Sequence, residues 1–179
     1  IRKHVDRGTR FFIVVGGGAT TRLYQNAAKD ARPSVTANDL DWVGVHTTRA
    51  NAQLIRIIFK DIARPRVFDK YNKKENIGNH PVVIGAGWKP GWSTDYCTVS
   101  LGKHYGAKHI FNMSNITKVY DKDPKKHKDA KPIDTMLWKD YRDMVGSKWT
   151  PGLNTPFDPI AAKLADELGV QVTVLNGRD

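Results

Sequence analysis

The 179-residue sequence contains a single cysteine, Cys97, so neither an intramolecular disulfide nor a thiolate zinc cage can be built from it. No apolar run approaches the roughly 20 residues of a membrane span, and no secretory hydrophobic region is visible near Ile1. A reducing, cytoplasmic setting without a membrane is the expectation. The G-x-x-x-x-G-K-[ST] loop is missing, as are H-E-x-x-H and G-x-S-x-G, which excludes a P-loop nucleotide kinase and removes support for zinc-protease and serine-hydrolase chemistry. The six histidines (His4, His46, His80, His104, His109 and His127) fall at no metal-ligand spacing, and His46 is expected to pack or bond locally. Acidic residues are scarce: 18 Asp and Glu stand against 29 Lys and Arg, for a net charge of +11. Much of the excess lies from Lys60 to Lys74 and at Lys122, Lys125, Lys126, Lys128 and Lys131. No aromatic residues interleave with the second patch, so solvated basic faces around a polyphosphate site are favoured over a nucleic-acid groove. The length suits one domain with one sizeable core.

What is present begins with Phe11-Phe12-Ile13-Val14-Val15-Gly16-Gly17-Gly18-Ala19-Thr20-Thr21-Arg22, an apolar run that empties into three glycines and then a helix-compatible segment. The run suits a strand covered on both faces. Glycine permits close backbone approach, and a following helix start aims N–H groups at an anion. Arg22, about one turn in, adds a guanidinium fork for a phosphate. A tight turn against a neighbouring helix is the structural alternative.

Beyond this motif, helix and strand signals alternate as in a layered α/β domain. A helix tail over Ile1–Arg7 feeds a strand at Phe11–Val15, followed by a helix from Thr20 to Lys29. A second helix is expected from Asn38 or Asp39, with Leu40, Val43, Thr47, Ala50, Leu54, Ile57 and Ile58 on one buried face. After a variable basic stretch from Arg64 to His80 come a strand at Val82–Ala86 and a helix from Thr94 to Tyr105. A strand at Lys108–Met113, a charged loop through Pro132 and a helix over Thr135–Val145 follow. A Pro/Gly-rich loop over Trp149–Pro156 leads to a helix from Pro159 to Leu168, and Gly169 separates this from a last strand at Val170–Leu175.

Binding in such sheets sits where strand C-termini meet loops, and three loops qualify. Gly85-Ala86-Gly87-Trp88-Lys89-Pro90-Gly91-Trp92-Ser93-Thr94-Asp95 offers backbone access, two tryptophans for a planar ligand, two hydroxyls and a carboxylate. The plainer reading is that Ser93, Thr94 or Asp95 caps a helix and the tryptophans fill core space. Ser114-Asn115-Ile116-Thr117-Lys118-Val119-Tyr120-Asp121-Lys122-Asp123-Pro124 brings hydroxyl, amide, phenol and carboxylates behind a strand, although Asp-Lys-Asp-Pro is also good turn chemistry. On spacing, Asp158 before Pro159 reads as an N-cap with proline at the first helical position.

Together these loops resemble the amino acid kinase family, and within it the archaeal-like uridylate (UMP) kinases. The likeness rests on Val14-Val15-Gly16-Gly17-Gly18 with Arg22, on Asp41-Trp42-Val43-Gly44 running into Thr48-Arg49-Ala50-Asn51-Ala52, and on Pro90-Gly91-Trp92-Ser93-Thr94-Asp95. Tyr120-Asp121-Lys122-Asp123-Pro124 and Asp158-Pro159-Ile160-Ala161-Ala162-Lys163 complete it, in family order and across nearly the whole chain. The resemblance implies a three-layer α/β/α sandwich with a mainly parallel central sheet, formed by residues 1–179 as a single amino acid kinase domain. It implies ATP-dependent phosphorylation of UMP, with Mg²⁺ bridging the donor phosphates, in a homo-oligomer, typically a hexamer.

Carried over residue by residue, the resemblance places Gly17 on the UMP phosphate, with Gly18 and Arg22 on the donor side and Asp41 on the UMP ribose. Gly87, Trp88, Lys89, Pro90, Gly91, Trp92, Ser93 and Thr94 would enclose the uracil and acceptor nucleotide. Ser114, Asn115, Tyr120 and Asp123 would hold ATP, and Asp158 would orient catalytic lysines instead of serving only as a cap. In-line transfer between two polyanions draws its catalysis mostly from positioning and charge neutralisation.

Two departures accompany the likeness. Family members usually read Asn-Val-Asp-Gly-Val-Tyr where this chain reads Asn115-Ile116-Thr117-Lys118-Val119-Tyr120, so an Asp and a Gly are replaced. The family also begins with a strand and a glycine-rich loop carrying a catalytic lysine, and closes with a further helix and strand. On that comparison the chain is expected to be incomplete at both termini, and inactive as a fragment of a longer kinase. Two other readings stay open: a relative phosphorylating a carboxylate or carbamate, and a non-catalytic relative that binds oxyanions or nucleotides.

Overall fold

A computed structural model describes residues 1–124, 126–147 and 155–177. The backbone divides into two compact units, residues 1–105 and 106–179. Most of the Pro/Gly-rich loop expected over Trp149–Pro156, and Lys125 of the second basic patch, lie outside the described residues.

In the first unit, α1 (Arg2–Val5) precedes β1 (Phe11–Val14), which pairs in parallel with β2 (Val82–Gly85) in the register Phe11 to Val82 through Val14 to Gly85. Parallel neighbours require a long crossover, and α2 (Gly18–Ala31) and α3 (Ala37–Ile58) lie within it. β2 is fully buried. Its Val82 and Ile84 pack with Ala52 and Ala63, whereas Val83 packs on the opposite side with Phe68, Tyr71, Cys97 and Leu101. The alternation follows from the two-residue period of a strand. It leaves α3 against the first cluster and α4 (Thr94–Tyr105), which carries Cys97 and Leu101, against the second.

Three expectations for this unit are corrected by the structure. α3 begins after Thr36, earlier than Asn38 or Asp39: the Thr36 hydroxyl accepts the Asp39 N–H and the Asp39 carboxylate accepts the Thr36 N–H, a reciprocal capping box. The buried face of α3 is only partly the expected one, with Thr47 in common. Val45, Thr47, Thr48 and Ala52 are buried, while Leu54, Ile57 and Ile58 are 59%, 55% and 54% exposed. Close approach of a helix to the β2 strand selects small side chains at the contact, so Thr48 and Ala52 turn inward and the larger apolar residues turn out. Residues 64–80, expected as a variable basic stretch, supply core: Phe68, Tyr71 and Ile77 are buried, and Phe68 bridges in parallel to Gly85.

In the second unit β3 (His109–Ser114) runs parallel to β6 (Gln171–Asn176), and β4 (Val119–Tyr120) pairs antiparallel with β5 (Pro132–Ile133). α5 (Trp138–Val145) and α6 (Pro159–Glu167) pack on one another. The Tyr141 hydroxyl joins them to the preceding loop by accepting the Phe157 N–H at 2.7 Å and donating to the Phe157 carbonyl at 2.6 Å. α5 starts three residues later than expected, because Thr135 to Leu137 continue away from the β5 strand before the first turn forms. Gly169 (φ 61°) ends α6 as expected.

Candidate active site

The strand-to-helix turn after β1 has the conformation its glycines suggest. Gly17 lies in the right-handed region (φ −81°, ψ −27°) and Gly18 follows at φ 60°. This right-then-left succession turns consecutive N–H groups toward one side, a geometry suited to an anion, here at the start of a 14-residue helix. Gly17 is also sterically required, since a Cβ there would lie 1.8 Å from the Thr21 hydroxyl. Arg22 is exposed about one turn into α2.

The loop after β2 is fixed from below and from the side. Tyr71 donates its hydroxyl to the Ala86 carbonyl at 2.6 Å, and a Cβ on Gly85 would stand 2.7 Å from that hydroxyl oxygen. Burial pushes the Tyr71 phenol well above its ordinary value, so it stays a neutral donor. The Gly87 N–H donates to the Thr48 hydroxyl at 2.7 Å, and a Cβ on Gly87 would stand only 2.8 Å from that hydroxyl oxygen. Arg49 donates to the Trp88 carbonyl at 2.8 Å and lies 3.7 Å from the Asp69 carboxylate.

Farther along, Gly91 (φ 85°) donates its N–H to Asp41 Oδ2 at 2.7 Å. Partial burial raises the Asp41 carboxyl above its ordinary range, and the Gly91 bond opposes that shift. Asp41 and the loop from Gly87 to Thr94 are thus brought together, although they are distant in sequence. Both readings of the tryptophans have support. Trp88 packs against the Phe68 cluster, yet its ring also stacks on Trp92 at 6.0 Å, Trp92 continues onto Tyr96 at 4.1 Å, and Lys89 Nζ sits 4.6 Å from the Trp88 centroid. Ser93 caps α4 by accepting the Tyr96 N–H at 3.1 Å, and Thr94 opens the helix; Pro90 is half-buried.

In the second unit Ser114 ends β3, and its hydroxyl lies 3.4 Å from the Asn115 side-chain oxygen. Tyr120 is on β4 opposite Pro132, and the Asp123 carbonyl accepts the Lys126 and His127 N–H groups in a turn. Lys118, which stands where the family carries glycine, is paired with Asp134 and held above its ordinary pKa by that carboxylate. Asp158 is 5% exposed and caps α6, with Oδ1 accepting the Ile160 N–H at 2.6 Å and the Ala161 N–H at 3.1 Å. A cavity of about 400 Å³ opens beside Thr117, Lys118 and Val119, lined also by Trp138, Tyr141 and Val174; none of the five expected site residues of this unit lines it.

The amino acid kinase family model matches residues 1–176. The chain belongs to the amino acid kinase family. It is 30% identical to the uridylate kinase of Methanoculleus marisnigri over all of this chain and 76% of the relative. It is 32% identical to that of Methanocorpusculum labreanum, over 97% of this chain and 74% of the relative. Among solved structures it matches the uridylate kinase of Archaeoglobus fulgidus at a TM-score of 0.82 and 28% identity, over 98% of this chain and 79% of that one. The two parallel pairings and the helices between them are those of an amino acid kinase α/β fold, as expected from the sequence.

The amide and side-chain contacts of Thr48, Arg49 and Asn51 are the part of this site to which residue chemistry assigned nothing. Thr48-Arg49-Ala50-Asn51-Ala52 stood out in the sequence as a likeness, but a mid-helix Thr, Arg or Asn carries no local signal of which loop it reaches. Among the described residues no three His, Cys, Asp or Glu side chains gather into a metal site.

Proposed function

We propose that this protein is a nucleoside monophosphate kinase that transfers the γ-phosphoryl group of ATP to UMP. A UMP phosphate oxygen attacks the γ-phosphorus in line, the bond to the bridging oxygen breaks, and UDP and ADP result. The observation that carries this reading is the Gly17–Gly18 anion turn at the start of α2, in a chain similar along its whole length to uridylate kinases.

On this reading the Gly17 N–H holds the UMP phosphate, while Gly18 and Arg22 face the donor phosphates. Asp41 accepts a ribose hydroxyl. The loop from Gly87 to Thr94 encloses the uracil, with the Trp88–Trp92 stack as its apolar wall. Ser114, Asn115, Tyr120 and Asp123 bind ATP, which arrives with Mg²⁺ as part of the donor substrate. Asp158 orients cationic groups around the transferring phosphoryl while it caps α6. Residues 1–179 act as one amino acid kinase domain in a cytoplasmic homo-oligomer, with a hexamer as the expected assembly. Transfer-state stabilisation by fixed N–H groups and cations requires no covalent intermediate on the protein.

The test is an acceptor screen of the full-length protein with ATP and Mg²⁺. UMP is expected to be the productive acceptor. Equal or faster phosphorylation of acetylglutamate, glutamate or carbamate would overturn the assignment.

A further inference from the structure

The Asn51 side-chain amide, on α3, donates to two successive carbonyls of the glycine turn: Gly16 at 2.9 Å and Gly17 at 3.1 Å. Three and two residues earlier on the same helix, Thr48 and Arg49 hold Gly87 and Trp88 of the other loop. In a planar trans peptide the C=O and the following N–H point in opposite directions. Fastening the Gly16 and Gly17 carbonyls onto α3 therefore turns the Gly17 and Gly18 N–H groups away from α3, toward the concavity that receives an anion. Asparagine suits this task because one planar nitrogen offers two donors.

Resting on the reading of this turn as the UMP phosphate site, we propose that Asn51 is a positioning residue that sets the phosphate-binding N–H groups. Together with Thr48 and Arg49 it makes one stretch of α3 a shared bracket for the phosphate turn and the nucleoside loop. Asn51 touches no substrate. Its contribution is to hold a conformation in which Gly17 and Gly18 already have the αR and left-handed geometry that an anion selects. The two arms of the bracket act on different parts of the nucleotide. The Asn51 arm governs the phosphate, and the Arg49 arm governs the loop placed around the base.

The test compares UMP, uridine and inorganic pyrophosphate binding to the full-length protein by calorimetry, in wild type, Asn51→Leu and Arg49→Lys. Leucine keeps the volume and removes both donors. The expected result is a loss of roughly tenfold or more in the UMP-to-uridine affinity ratio for Asn51→Leu, with a matching loss for pyrophosphate and unchanged uridine affinity. Arg49→Lys should instead weaken uridine and UMP by the same factor and leave pyrophosphate alone. Retention of the wild-type UMP-to-uridine ratio and of pyrophosphate binding in Asn51→Leu would overturn the bracket while leaving the UMP reading standing. Pyrophosphate binding that depends on Asn51 in a protein that ignores UMP would support the bracket and overturn the UMP reading. A general loss of fold in Asn51→Leu would lower uridine affinity equally, and that result also counts against a positioning role.

Discussion

The Asp41 carboxylate accepts the Gly91 N–H at 2.7 Å across 50 residues of sequence, closing the loop after β2 onto the N-terminal half of α3. Gly91 reaches this position at φ 85°, a conformation that disfavours other residues. One carboxylate oxygen thus anchors the loop. On the proposed reading the other meets a ribose hydroxyl, which would tie loop closure to nucleoside binding through a single residue.

Asp41→Asn tests that coupling. A hydrogen bond to a charged group contributes about 1.5–3 kcal/mol, so UMP affinity should fall roughly 10- to 150-fold while the KM for ATP stays put. Equal losses for the two nucleotides would refute the ribose assignment. The raised Asp41 pKa adds a pH signature. The folded state holds this proton to higher pH than the unfolded chain does. Stability linked to it is therefore complete below the ordinary Asp value of about 3.9 and lost as pH rises through the folded pKa. Denaturant titrations across that window should show the slope in wild type and a flatter profile in Asp41→Asn.

Thr21 presents the opposite situation, a polar atom without a partner. Its hydroxyl oxygen is buried beneath Gly17 with no hydrogen bond. Removing a buried unsatisfied group relieves desolvation, and alanine also has the higher helix propensity. Thr21→Ala should raise stability by about 1 kcal/mol, read as an upward shift of Tm. A fall in Tm would mean that the hydroxyl supports the turn.

Legibility in the sequence followed the strength of the local signal. β2 was readable because three consecutive β-branched residues run into glycine, and α6 because Asp158 and Pro159 mark its start and Gly169 its end. Phe68, Tyr71 and Ile77 were hidden, since charged and amide residues, Asp69-Lys70 and then Asn72 to Asn76, separate them in no sustained helical or strand period. The β4–β5 hairpin has two residues a strand, too few to alternate. In the site, the glycines were legible because conformation leaves a trace in residue type, whereas Asp41 was singled out by the family likeness alone, since one acidic residue early in a helix carries no local signal of its partner. Asn51 was not legible, because its function is a long-range contact to backbone carbonyls that any neighbouring loop would offer.

The α3 face explains a second failure of periodicity and leads to a prediction about assembly. Ala52 and Ile55 turn toward the β2 cluster, so Leu54, Ile57 and Ile58 form a separate apolar stripe, exposed in this chain. Such a stripe suits a contact with a second copy in the proposed homo-oligomer, and that burial would offset repulsion between chains of charge +11. Ile57→Lys should shift the sedimentation of the full-length protein toward smaller species without lowering monomer stability. Unchanged sedimentation would place the oligomer contact elsewhere.

Asp158 separates capping from catalysis most cleanly. Its Oδ1 already accepts two N–H groups at the start of α6, and this alone accounts for a buried carboxylate before a proline. Asparagine has the same shape, keeps an oxygen acceptor for those donors and caps nearly as well, so Asp158→Asn should leave thermal stability almost unchanged. It removes the negative charge, however. If that charge orients cationic groups around the transferring phosphoryl, kcat should drop at least ~10²-fold, the scale of losing one electrostatic catalytic contact. The expected variant is folded, binds UMP and ATP with near-normal affinity, and turns over poorly. Wild-type turnover in Asp158→Asn would reduce this residue to its capping role and remove it from the catalytic machinery.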